Sequence, residues 1–257
     1  MNINDTVFCF QSLIPVRSEH KDQAEIVTQL LFGEPATIID SYNQWRKIRI
    51  AHDDYEGWID RKQVAIIDKA TFEKLKNSSS RQGSLLQKID TPWGKILTLM
   101  GSLMPSGVKS FEIGEYKFEI TENNEEKIPL NLEDIALNYL NAPYLWGGRT
   151  HFGIDCSGFT QAVYRFFEIN LPRDASQQVY IGNEINFEDT KVGDIAFFQN
   201  TRGKVNHVGI ILAKNEFIHA SGRVRIDKLT EEGIYNNETD KLTHKIYNIK
   251  RIFHLKE

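Results

Sequence analysis

The order of patterns along the chain predicts an α+β fold. Three observations carry this. Up to about Thr121 the chain is a series of short apolar and aromatic runs broken by turn-prone residues. From about Lys127, two segments repeat their apolar residues at helical steps, and strand runs follow them. Helices first and strands afterwards point to an antiparallel sheet with helices beside it, because a parallel sheet needs a crossover, usually a helix, between strands.

The first unit is expected over residues 1–68. Runs at 7–10, 36–40, 45–50 and 57–60 suit short strands, with Trp45, Ile48, Ile50 and Trp58 filling a small barrel core. The stretch 72–76 has helical propensity, and the polar, small-residue run 77–84 suits a linker. A second strand-rich unit is expected over 69–126, with a strand at 95–99 and a hairpin over 110–118. No repeat relates the two. The third unit is 127–257. Asn131 caps a helix over 132–140 that ends before Pro143. In the next helix Cys156, Phe159, Val163 and Phe166/Phe167 recur on one face. Strands are expected at 194–198, 207–212 and 216–220.

Composition narrows the function classes. The 257 residues exceed one typical domain of about 100–150. A net charge of −4 without a long basic run disfavours a nucleic-acid partner. No apolar stretch approaches the roughly 18 residues that span a bilayer, so no membrane partner is expected. The opening Met1-Asn2-Ile3-Asn4-Asp5 lacks the positive flank and apolar core of a secretion signal, which predicts a cytoplasmic protein if the chain is complete. A monomer is favoured. In that compartment a Cys9–Cys156 disulfide is disfavoured. A zinc site from Cys156, His207 and His219 has the right ligand types, but no short segment supplies two ligands.

Cys156 begins its helix, where unpaired N–H groups favour a thiolate over a thiol. His207 and His219 lie on two later strands. If 213–215 is a three-residue hairpin loop, His219 stands opposite Gly209 and diagonally beside His207 on one face, with Gly209 leaving room for the second ring. A four-residue loop would put the rings on opposite faces. A buried cysteine or a strand histidine alone is open to a packing role. Together they suit a thiol nucleophile with an imidazole base and a group to orient it.

Six motifs then resemble one family in its order: Pro143-Tyr144-Leu145-Trp146-Gly147-Gly148, Asp155-Cys156-Ser157-Gly158-Phe159, Leu171-Pro172-Arg173-Asp174, Lys191-Val192-Gly193-Asp194-Ile195, Asn206-His207-Val208-Gly209-Ile210 and Phe217-Ile218-His219-Ala220-Ser221. They are similar to the NlpC/P60 cysteine peptidases of bacterial cell walls. Trp45 and Tyr55-Glu56-Gly57-Trp58-Ile59 resemble bacterial SH3 (SH3b) domains. The resemblance implies a papain-like domain of helices packed on an antiparallel sheet, preceded by two small SH3-like β-barrels. It makes Cys156 the nucleophile, His207 the base, His219 the orienting group and Tyr144 an oxyanion donor. It implies no metal or organic cofactor.

The full layout is similar to γ-D-glutamyl-L-diamino acid endopeptidases, which cut murein stem peptides after an N-terminal L-Ala-γ-D-Glu. Substrate-binding candidates are Glu25 and Tyr55 in the first unit, and Asp155, Ser157, Arg173 and Asp174 in the third. Glu25 lies in the segment 24–34, which resembles a cleft-facing SH3b loop. Asp155 is open to a capping role and Arg173 and Asp174 to a salt bridge or cap. Two alternatives remain: a catalytically silent module that binds wall peptides, and a thiol acyltransferase or amidase.

Overall fold

The structure is a computed structural model that describes residues 1–105, 107–122, 131–236 and 238–252. The chain forms two compact units, Met1–Ile128 and Pro129–Glu257. The boundary expected at 126/127 lies outside the described residues.

The first unit opens with seven strands: β1 (Thr6–Cys9), β2 (Leu13–Arg17), β3 (Ile26–Leu31), β4 (Pro35–Tyr42), β5 (Trp45–Ile50), β6 (Glu56–Asp60) and β7 (Val64–Ile67). They form one antiparallel sheet in the order β3-β2-β6-β5-β4-β1-β7. Alternation drives it: in β2, Ile14 and Val16 are buried while their neighbours are half-buried. Cys9, Ile14, Val16, Leu30, Ile38, Ile48, Ile50 and Ile59 make the core. Trp45 is buried as expected. Trp58 is not a core residue. The pleat gives the inward position on β6 to Ile59, and the half-buried Trp58 packs edge-on against His20 at 5.1 Å.

The helix α1 (Lys69–Lys76) is capped by Asp68, whose side chain accepts the Thr71 N–H at 2.7 Å. Four strands follow: β8 (Leu86–Thr91), β9 (Gly94–Leu99), β10 (Ser110–Ile113) and β11 (Tyr116–Glu122). Their order is β10-β11-β8-β9, and the hairpin expected over 110–118 is β10 with β11. Among the described residues the edge strands β10 and β9 do not pair, so this is an open sheet where a second barrel was expected. The packing gives the reason. Phe8 and Phe32 of the first sheet region share a core with Ile89, Ile113 and Phe118, and Phe32 meets Phe118 edge-on at 5.3 Å. A sheet whose apolar face is covered this way has no need to close on itself.

In the second unit the Asn131 side chain accepts the Asp134 N–H at 2.7 Å and starts α2 (Leu132–Leu137), three residues shorter than its pattern. A small hairpin, β12 (Arg149–Thr150) with β13 (Gly153–Ile154), leads into α3 (Cys156–Tyr164). Phe159 and Val163 are fully buried, but the chain tightens to a 3₁₀ turn at Arg165–Phe167 and Glu168 turns left-handed (φ 62°), leaving Phe166 and Phe167 half-buried. The short α4 (Ala175–Gln178) comes next.

Among the described residues seven further strands follow: β14 (Asn183–Glu184), β15 (Ile195–Gln199), β16 (Val205–Ala213), β17 (Glu216–Ser221), β18 (Arg223–Leu229), β19 (Gly233–Asn236) and β20 (Lys241–Arg251). Their order is β14-β20-β15-β16-β17-β18-β19, and β19 also pairs with β20. Six antiparallel strands therefore close into a barrel, with β14 on its outside edge. The expected sheet is present, and β18 to β20, which the sequence did not suggest, close it. Helix α3 packs against β16 and β17. No helix among the described residues is long and apolar enough to cross a membrane.

Candidate active site

The β16–β17 hairpin sets the histidines. Its loop is two residues, Lys214 and a left-handed Asn215 (φ 67°), not the three expected. A bulge beside Leu212 absorbs the difference, so Ile210 faces Ile218 and Gly209 lies against His219. The histidines thus share a face for a partly different reason from the one anticipated. Gly209 is needed there: a Cβ would lie 2.7 Å from His219 Cβ and 2.5 Å from the Phe217 ring.

His207 Nε2 and His219 Nδ1 are 2.7 Å apart. His219 Nε2 meets Asp227 Oδ2 at 3.1 Å on β18, where His219 pairs with Arg225. Residues two apart on a strand share a face, so Arg225 and Asp227 stand on the histidines' side of the sheet. Arg225 Nε lies 2.9 Å from Asp227 Oδ2, and Arg225 Nη2 donates to Oδ1 at 3.0 Å. From β20, His244 stacks on His207 with centroids 4.5 Å apart. His207, His219 and Asp227 are buried.

Burial, the neighbouring His219 and His244 hold His207 well below its ordinary pKa, so its ring is neutral at pH 7. Burial also lowers His219, against the opposing pull of its hydrogen bond to Asp227.

Cys156 is the first residue of α3 and is buried. Its thiol is pushed up to about 12, by burial and then by the Asp155 carboxylate. The Val208 backbone contact, the Arg173 charge and the Ser157 backbone contact lower it, but less. The thiolate expected at the helix start is opposed by burial, the largest influence on this thiol. The resting sulfur is a thiol, and it must lose its proton to a base as it reacts.

Asp155 anchors the turn before the nucleophile. Its Oδ1 accepts the Gly158 N–H at 2.7 Å, capping α3, and its Oδ2 accepts the Gly147 N–H at 2.8 Å. The buried Arg173 donates to both oxygens, Nη1 at 2.9 Å and Nη2 at 2.6 Å, and Nη1 reaches Ser157 Oγ at 3.0 Å. This bidentate clamp ties the chain after α3 to the start of α3. Asp174 is half-buried at the start of α4.

Tyr144 is partly exposed, and burial together with Cys156 and Asp155 pushes its phenol up to about 12. It stays protonated, and so remains a hydrogen-bond donor, at neutral pH.

Glu25 and Tyr55 belong to the first unit. Glu25 is exposed just before β3, and the half-buried Tyr55 packs on the first sheet's core. Most of the segment 24–34 is strand, since Ile26–Leu31 is β3, and Glu34 is buried with Oε2 accepting the Leu31 N–H at 3.0 Å. Only its two ends, 24–25 and 32–34, lie outside the strand, and Glu25 is on the first of them. Sequence reasoning did not single out Asp227, Arg225 or His244. The signal for the first two was Arg225-Ile226-Asp227, a charged pair at strand spacing directly after the second histidine motif.

A buried thiol at a helix start, beside a strand whose neutral imidazole is linked to a second imidazole and a carboxylate, defines a cysteine peptidase. Comparison with known proteins agrees. Residues 141–243 match the model of the NlpC/P60 family, and 16–64 match that of the bacterial dipeptidyl-peptidase Sh3 domain. The probable endopeptidase NlpC of Escherichia coli is 37% identical over 106 residues, 40% of this chain and 69% of the relative. A gamma-D-glutamyl-L-lysine dipeptidyl-peptidase of Bacillus cereus is 27% identical over 231 residues, 76% of this chain and 67% of the relative. In fold, the chain is similar to the crystal structure of an NlpC/P60 family protein from Bacillus cereus, with a TM-score of 0.75 and 18% identity over 96% of this chain and 99% of that one. The chain belongs to the NlpC/P60 family.

Proposed function

We propose that the protein hydrolyses murein stem peptides, cutting the bond between γ-D-Glu and the following diamino acid in fragments with a free N-terminal L-Ala. The observation that carries the reading is the His207–His219–Asp227 line beside the Cys156 helix. The bond choice is supported by similarity, along most of the chain, to the relative named gamma-D-glutamyl-L-lysine dipeptidyl-peptidase.

In this mechanism His207 takes the proton of the Cys156 thiol as sulfur attacks the γ-carbonyl carbon. The oxygen, now negative, receives hydrogen bonds from the Tyr144 phenol and the Cys156 backbone N–H. The tetrahedral centre collapses, the C–N bond breaks, and His207 returns its proton to the leaving amine. A water molecule then gives a proton to His207 and attacks the thioester carbonyl. Loss of the sulfur, reprotonated by His207, frees the dipeptide acid. Tyr144 suits its part because its phenol keeps its proton. Ser157 and Arg173 hold the cysteine turn, and Asp155 both caps α3 and raises the cost of an early thiolate.

The free amine is the selective feature of the substrate. In intact wall that nitrogen is an amide, and a carboxylate that meets the cation rejects a neutral replacement. Glu25, exposed on the SH3-like unit, is the proposed carboxylate, with Tyr55 a weaker candidate on the same unit. Such a preference fits a cytoplasmic recycling enzyme.

The test is L-Ala-γ-D-Glu-diaminopimelate and its L-Lys counterpart, each free and N-acetylated, with products read by mass spectrometry. Cleavage of the free peptides at the γ-D-Glu bond, with acetylation costing about 2 kcal/mol or more in kcat/KM, is expected. Equal rates on both forms would remove the amine requirement, and no product from any peptide would remove the substrate class.

A further inference from the structure

The hydrogen-bonded line does not stop at the second histidine, and its far end decides which way protons point along it. A carboxylate has no proton to give, so the His219 nitrogen facing Asp227, Nε2, carries the ring proton at 3.1 Å. Neutral His219 then offers a lone pair at Nδ1, and that atom lies 2.7 Å from His207 Nε2. His207 must therefore donate from Nε2. Its lone pair is left on Nδ1, the only ring nitrogen remaining for the thiol.

We propose that Asp227, fixed by Arg225, is a positioning residue of the peptidase: it sets the tautomers of His219 and His207 and so keeps the lone pair of the base on Nδ1, available to the Cys156 thiol. This rests on the assignment of His207 as that base. The geometry is built for a fixed carboxylate. Arg225 binds both oxygens, and its Nη1 donates in turn to Glu238 Oε2 at 2.8 Å, while Arg223 Nη2 holds Glu238 Oε1 at 2.8 Å. Two donors, Arg225 Nη2 and His219 Nε2, converge on Asp227, and the charged Arg225 Nε lies 2.9 Å from its Oδ2. An amide in its place would aim a donor at one of them whichever way it turned.

The same arrangement governs protonation of the pair. His219 faces His207 from β16, Arg225 and Asp227 from β18, and the half-buried His244 ring from β20 at 6.3 Å between centroids. The Arg225 charge opposes a second proton on His219, and a doubly protonated His219 would turn His207 around by donating to its Nε2.

The experiment uses the full chain with Asp227→Asn, Asp227→Glu and Arg225→Gln. It measures kcat and KM on the free tripeptide, the rate of Cys156 alkylation by iodoacetamide, and the ¹⁵N signals of the His207 ring. Asp227→Asn is expected to lower kcat on the order of 10²-fold or more, with KM little changed, because the wrong tautomer leaves binding intact. Alkylation should slow about tenfold or more, and the ring proton of His207 should leave Nε2 for a mixture of both nitrogens. Asp227→Glu should recover part of kcat. Arg225→Gln should move the acid limb of kcat/KM to higher pH, and it carries the test alone if the Asp227 variants do not fold. Wild-type kcat and an unchanged His207 tautomer in Asp227→Asn, or an unmoved acid limb in Arg225→Gln, would overturn the inference. Turnover that survives Cys156→Ala would instead overturn the proposed mechanism itself.

Discussion

Cys9 and Cys156 are both reduced and both buried, and burial keeps both thiols protonated, yet their surroundings differ in kind. Cys9 lies in an aliphatic core with Ile14, Leu30 and Ile48, and its sulfur contacts the Gln11 and Leu30 carbonyl oxygens at 3.4 and 3.7 Å. The nearby Glu34 carboxylate adds to the penalty on its thiolate. Around Cys156 the Val208 and Ser157 backbones and the Arg173 guanidinium all favour negative sulfur, and the strand carrying Val208 also carries a neutral imidazole. A buried thiol is thus inert by default. What distinguishes the second is a route for its proton.

The contrast breaks most sharply on the nucleophile. Cys156→Ala should lower kcat on the order of 10⁴-fold or more on the tripeptide while leaving the circular dichroism and thermal midpoint near wild type. A variant that still turns over would erase the distinction between the cysteines. The bases come next. His207→Ala should cost on the order of 10³-fold and His219→Ala about tenfold less, since loss of an orienting group leaves residual catalysis. Equal losses would make the two rings one functional unit. The pH profile sharpens the point, because a base whose pKa is depressed remains neutral, and therefore competent, below 6.5. The acid limb of kcat/KM should have its midpoint under 6.5, and a midpoint at or above 6.5 would contradict the buried, neutral His207.

Much of this contrast was legible in the sequence, for identifiable reasons. Cys156 announced itself because a helix period begins at it, and His207 and His219 because each sits in an apolar strand run. The hairpin face survived an error in loop length because the bulge at Leu212 restored the register. The remainder was hidden by polarity. Strand β18 buries the charged Asp227 and β20 exposes Leu242 and Tyr247, so apolar character does not mark the buried face, and with these strands Asp227, Arg225 and His244 went unread. The thiol's protonation state was hidden too, because a helix-start argument counts the dipole but cannot weigh burial, the largest of the influences that raise this thiol. The second sheet was read as a barrel of its own because period-2 patterning shows that a face is buried and not what covers it; Phe8 and Phe32 cover it.

The smallest expected effect lies on the other cysteine. Cys9→Ala removes one buried sulfur from a core whose neighbours are aliphatic and close-packed, without leaving a charge or a donor stranded. The loss is the transfer energy of a small apolar group plus a cavity that Ile14 and Leu30 partly fill, about 1 kcal/mol. That should lower the thermal midpoint by a few degrees, leave kcat and KM at wild-type values, and leave the rate of Cys156 alkylation unchanged. Mass mapping of iodoacetamide adducts on the native protein provides the companion measurement. Label should accumulate on Cys156 well before Cys9, although both thiols are buried, because only Cys156 has a base to hand its proton to. Labelling of Cys9 first, or a fall in kcat on its replacement, would mean that the proton route does not separate the two sites.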